Sequence, residues 1–90
     1  MPRGKIKKVV DGDTIVLKGG EHVRVANLDA PELNQPGGQA AKKRLQKVLP
    51  RGQDVGLSQV LAKSYHRNIR RVTVKGKTVT KLVKTPPKRK

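Results

Sequence analysis

The sequence predicts a mainly β fold: a small five-stranded barrel with one main α-helix packed against an end. Three observations predict it. Short β-branched runs separated by turn formers fill the chain up to Leu28, one amphipathic stretch of helical period follows, and two further Val, Leu and Ile runs come after that. Ninety residues suit a single domain with a modest core, because surface is large relative to volume at this size.

The first strand is expected over Lys5 to Val10, where it meets the turn formers Asp11-Gly12-Asp13. A second strand runs from Thr14 to Lys18, and Gly19-Gly20 turns the chain again. His22 to Leu28 then alternates polar with apolar residues, the period of a half-buried strand. Asp29 to Glu32 ends it, and Asn34 to Gly38 is a loop rich in turn formers. From Gln39 to Leu49, Ala41, Leu45, Val48 and Leu49 recur at spacings of three and four, with Lys42, Lys43, Arg44 and Lys47 between them, until Pro50-Arg51-Gly52 stops the helix.

Gln53 to Leu61 and Asn68 to Val74 suit strands, joined by the polar segment Lys63 to Arg67. A turn at Lys75-Gly76-Lys77 leads to Thr78 to Lys84, which suits a strand or the stub of a helix. Three strands, a helix and two more strands have the element order of an OB-fold, a five-stranded partly open Greek-key barrel. The domain is assigned to residues 1–84, and the proline- and lysine-rich tail 85–90 is expected to be disordered.

Twenty-two Lys and Arg against six Asp and Glu give a formal charge of +16, whose field attracts polyanions. No stretch approaches the roughly 20 apolar residues of a spanning helix, and the Lys-rich helix is a poor membrane anchor, so nucleic acid is the expected partner and no membrane is. The chain opens without the apolar run of a signal peptide, which predicts a cytoplasmic protein. Cysteine is absent, so disulfides and thiolate metal sites are excluded. The single aromatic residue, Tyr65, leaves phosphate contacts rather than base stacking to dominate binding.

Four of the six acids fall at two turns: Asp11 and Asp13 after the first strand, Asp29 and Glu32 after the third. Converged carboxylates repel unless a cation or an arginine neutralises them. A hard divalent ion, Ca²⁺ or Mg²⁺, is the natural occupant where His and Cys are scarce. The plainer alternatives are that Asp11 is simply a turn residue and that Glu32 is a solvated surface charge. Arg24 shares a strand with Leu28 and lies within reach of the turn carrying Asp29, where it would clamp a phosphate bidentately. His22 and His66 lack partners at ligand spacing and are expected at surface positions. The helix lysines form a solvated face or a nonspecific phosphate contact, and Lys88-Arg89-Lys90 an electrostatic tail.

Val9-Val10-Asp11-Gly12-Asp13-Thr14, followed by Val23-Arg24-Val25-Ala26-Asn27-Leu28-Asp29-Ala30-Pro31-Glu32, resembles the signature of the staphylococcal nuclease family, the thermonucleases. The likeness continues through Gly38 to Ala41 and again at Ser64 to Arg67, covering roughly residues 5 to 84. It implies an OB-fold and a calcium-dependent phosphodiesterase that splits DNA and RNA to leave 3′-phosphate ends. It further implies that Asp13, Asp29 and the Ala30 carbonyl ligate Ca²⁺, with Mg²⁺ the lesser alternative, and that Asp11 stands just outside the ligand set. Glu32 matches the group that activates water, Arg24 and Arg67 match the arginines on the scissile phosphate, and Tyr65 matches a phosphate-contacting tyrosine.

The chain departs from that pattern in several places. Ala30 stands where a threonine is common, Lys63 where an aspartate is, and His66 where a glycine precedes the second arginine, so Arg70 and Arg71 are candidate substitutes for Arg67. The family continues through further helices beyond this length, which predicts a C-terminally truncated homologue, a monomer or a homodimer covering the exposed face. The expected substrate is DNA or RNA, preferably single-stranded. The alternatives are a noncatalytic OB module that binds nucleic acid and, more weakly, a structural ribonucleoprotein component.

Overall fold

In the computed structural model, residues 3–83 are described. The expected tail at 85–90, and the domain limits at residues 1 and 84, lie outside them. The described chain is mainly β, an open eight-stranded mixed sheet with two helices. The strands are β1 (Arg3–Asp11), β2 (Thr14–Leu17), β3 (His22–Val25), β4 (Asp54–Leu57), β5 (Ala62–Ser64), β6 (Arg67–Arg70), β7 (Val72–Val74) and β8 (Lys77–Thr78); the helices are α1 (Gly38–Val48) and α2 (Val79–Val83). Their order in the sheet is β5-β6-β3-β2-β1-β4-β7-β8.

The first three strands form the expected meander, each antiparallel to the next. The later part differs from expectation in three respects. The run expected as one strand over Asn68–Val74 is divided at Arg71 into β6, parallel to β3, and β7, antiparallel to β4. The polar segment at 63–67 is a β-hairpin rather than a plain connection: β5 pairs with β6 through the two-residue turn Tyr65-His66, with φ of 49° and 66°. Those angles are the ones such a hairpin needs, and they usually call for Asn or Gly, so side chains at both positions conceal the turn from a sequence reading. The strand expected over Gln53–Leu61 spans only Asp54–Leu57.

Lys75-Gly76 makes the same kind of turn between β7 and β8, where glycine at φ 83° fits without strain. Of the two readings of Thr78–Lys84, the helical one holds from Val79. The Thr80 hydroxyl donates to the Ala26 carbonyl at 2.6 Å, tying α2 to the end of β3.

α1 begins and ends one residue earlier than expected, and the periodicity explains which face it buries. Gly38, Ala41 and Leu45 point inward while Lys43, Arg44 and Lys47 are exposed. The core is wholly aliphatic: Ile6, Ile15, Val23, Val25, Leu45 and Val55 are completely buried within it. Among the described residues no helix is long and apolar enough to cross a membrane.

Leu45 is the residue by which α1 enters this core. Leu45→Ala is expected to cost ~2–5 kcal/mol, through lost transfer energy and a residual cavity. Leu61→Ala, at a side chain 42% exposed, should change stability by less than ~1 kcal/mol. Urea melts of the two variants test the contrast.

Candidate active site

Local geometry places the acids before any side-chain contact does. β1 and β2 pair up to Asp11 and Thr14, so Gly12 and Asp13 form the two-residue connection between them. Gly12 is buried, and a Cβ added there would lie 2.5 Å from the Ala30 Cβ and 2.6 Å from the Ala41 Cβ. The turn is therefore packed directly against the loop carrying Glu32 and against the first turns of α1. Gly38 closes the other side, since a Cβ on it would collide with the Glu32 carbonyl oxygen. That carbonyl accepts from the Gln35 amide at 2.9 Å, which folds the loop back on itself.

The sheet supplies the cations. Thr14 on β2 faces Arg24 on β3, Arg24 in turn faces Ile69 on β6, and Arg67 begins that strand. Arg67 Nη1 donates to the Thr14 hydroxyl at 2.9 Å, and that hydroxyl donates to Asp13 Oδ1 at 3.0 Å. Arg24 Nη2 lies 2.7 Å from Asp29 Oδ1 and 3.5 Å from Asp13 Oδ2, so one guanidinium bridges the two carboxylates expected to share a metal ion. The Asp13 amide donates to Asp11 Oδ1 at 3.1 Å. Asp11, Asp13, Arg24, Ala30, Glu32 and Arg67 line one open cleft of about 480 Å³.

Six of the eight site residues read from sequence thus meet in one cleft. Asp29 does not line it; it joins through Arg24, its own side chain 96% exposed. Tyr65 sits at the tip of the β5–β6 hairpin, 87% exposed and outside the lining. The substitutes considered for Arg67 are placed elsewhere: Arg70 is paired with Glu21 at 2.8 Å, and Arg71 is an exposed residue beyond the cleft. Both histidines are exposed and neither lines the cleft.

Sequence reasoning gave no role to Thr14, the hydroxyl linking Arg67 to Asp13, nor to Leu33 and Asn34, which also line the cleft. For Thr14 a signal was present: a threonine directly after Asp13, at the mouth of a tight turn, has its hydroxyl beside that carboxylate. No protein-family model matches the chain, and no curated protein matches it.

Burial first, and then the neighbouring Asp11 carboxyl, raise the Asp13 carboxyl above its ordinary pKa of 3.8. The Thr14 hydroxyl and Arg24 pull it down without cancelling that rise. Among the described residues no three His, Cys, Asp or Glu side chains stand close enough together to hold a metal ion. Asp11, Asp13 and Ala30 line the cleft, whereas Asp29 is held by Arg24 at 2.7 Å. In this arrangement the neutralising charge beside Asp13 and Asp29 is the Arg24 guanidinium.

Two outcomes test this geometry. A raised Asp13 pKa means that the folded protein binds this proton more tightly than the unfolded chain does. The resulting stabilisation is complete below 3.8 and is lost as pH rises through the folded value. Asp13→Asn should therefore gain stability relative to the parent as pH climbs from ~3.5 to ~7 in chelator, measured by paired thermal melts. Gly12→Ala should destabilise by ~1–3 kcal/mol through overpacking, and adding Ala41→Gly should not restore the parent's stability, because the Ala30 Cβ still lies 2.5 Å from the added methyl.

Proposed function

We propose that the protein is a divalent-metal-dependent nuclease of the staphylococcal nuclease type, hydrolysing phosphodiester bonds of DNA or RNA with little base specificity. The observation that carries this reading is the shared cleft. Two arginines and three carboxylates from four separate parts of the chain face one space on a protein of net charge +16. A structural role for the acids would scatter them among the cations.

In this reading Glu32 takes a proton from a water that attacks phosphorus in line. The P–O bond to the 5′ oxygen breaks, the 3′-phosphate stays on one product, and the leaving oxygen takes a proton from solvent. Arg24 and Arg67 hold the phosphoryl oxygens as negative charge builds on them. Asp13, the Ala30 carbonyl and a released Asp29 would hold Ca²⁺, or less readily Mg²⁺, with Asp11 just outside the ligand set. The ion supplies Lewis-acid charge beside the phosphate. A phosphate entering the cleft competes with Asp29 for Arg24, which links substrate binding to release of that carboxylate.

The five-stranded OB barrel belongs to the same proposal. In its favour, β6 and β7 are halves of one run interrupted only at Arg71, one paired with β3 and the other with β4. Counted as one bent strand, they join β1, β2, β3 and β4 in a ring of five, with β5 and β8 as short additions. A noncatalytic OB module for nucleic acid is the second reading. The outward turn of Asp29 onto Arg24 favours it.

Digestion of single-stranded DNA and of RNA with calcium, magnesium or chelator tests the proposal, with Glu32→Ala and Arg24→Ala alongside. Calcium-dependent cutting is expected to fall ~10²–10³-fold or more in each variant. The parent should also melt higher in calcium than in chelator, because the ion binds only the folded state. Salt-sensitive binding without cutting in any metal would leave the second reading.

A further inference from the structure

A second charged surface lies along the same strand as the cleft. Lys7, Lys8 and Arg51 line an open groove of about 290 Å³ between β1 and the end of α1, floored by Val9, Leu49 and Pro50. In a regular strand, neighbouring side chains point to opposite faces. Here the pairing of β1 with β2 shifts register between Ile6 and Lys8, so Ile6 and Val9 are buried while Lys7 and Lys8 are both exposed.

Arg51 is held beside them by the backbone. The Gly52 amide donates to the Ile6 carbonyl at 2.7 Å, and the Ile6 amide donates to the Gln53 carbonyl at 3.0 Å. The turn after α1 is thus sewn to β1. No carboxylate lines the groove, and none of these three cations has an ion-pair partner among the described residues. The acids are committed elsewhere: Asp54 to Lys5, Glu21 to Arg70, and the other four at or beside the cleft.

We infer that this groove is a second binding site for the phosphate backbone of a nucleic-acid strand, holding phosphates of the strand whose neighbouring segment occupies the cleft. Lys8 and Asp11 are three residues apart on β1, about 10 Å of extended chain, so one strand a few nucleotides long spans both places. Three unpaired cations outweigh the partial negative charge at the end of α1. The inference rests on the nucleic-acid part of the proposed function and not on cutting.

The test is fluorescence anisotropy in chelator, which measures binding whether or not the protein cleaves. The groove variant Lys7→Gln/Lys8→Gln/Arg51→Gln is compared with an equal-charge control, Lys18→Gln/Lys75→Asn/Lys77→Gln, whose residues are likewise exposed and lie outside the groove. Thermal melts confirm that both variants fold. For an oligothymidylate of about 20 nucleotides, the groove variant should bind about tenfold more weakly than the parent. Its log–log salt slope should be shallower by about 2, and the control should lose less than about threefold. A mononucleotide, thymidine 3′,5′-bisphosphate, too short to span the cleft and the groove together, should show no such difference between the variants. Equal losses in both variants would overturn the inference, leaving only the overall field of the protein. Unchanged binding to the long oligomer with lost binding to phosphatidylserine vesicles would overturn it in favour of a membrane surface. Absence of cutting in every metal would defeat the nuclease proposal while leaving this comparison intact.

Discussion

The close approach of Gly12 to Ala30 and Ala41 is the constraint on which the site depends. Three segments far apart in the chain meet there: the β1–β2 turn, the loop after β3 and the start of α1. Each contributes an atom no larger than a methyl group, so the backbones come near enough for Asp11, Asp13 and Glu32 to share one cleft. A side chain at position 12 would wedge the turn from the loop. Small residues at this junction set the distance between the two acid-bearing turns.

That proximity gathers negative charge in a partly dry place, and the strand register supplies its counterweight. Thr14 lies opposite Arg24, which puts a guanidinium beside Asp13, and β6 brings Arg67 onto the same hydroxyl. Asp13 nevertheless holds its proton more tightly than a free carboxyl does, first because it is buried and then because Asp11 stands beside it. Arg24 has two carboxylate partners and one of them, Asp29, is almost fully exposed.

Charge is segregated in a way that the overall excess of lysine does not require. All six carboxylates stand either at the cleft or in ion pairs, which leaves Lys7, Lys8 and Arg51 with no ion-pair partner among the described residues. The β1 bulge contributes to this by exposing two successive lysines while the hydrophobic residues on either side stay in the core. Packing and electrostatics are satisfied by the same irregularity.

The sequence by itself determined the mainly β character, the meander of the first three strands, α1 to within one residue at each end, and six of the residues that line the cleft. Those features are local: strand alternation, helical spacing and turn chemistry each lie within a few residues, and the acids cluster at turns that the same chemistry marks. The tertiary structure decided what depends on contacts between distant segments. The division of the last long run at Arg71 follows from pairing with β3 on one side and β4 on the other, and the Tyr65-His66 hairpin is hidden by residues that seldom adopt its angles. That Arg24 could reach the turn carrying Asp29 was legible from the sequence, but that its guanidinium takes Asp29 and Asp13 together follows from the packing of the β1–β2 turn beside β3.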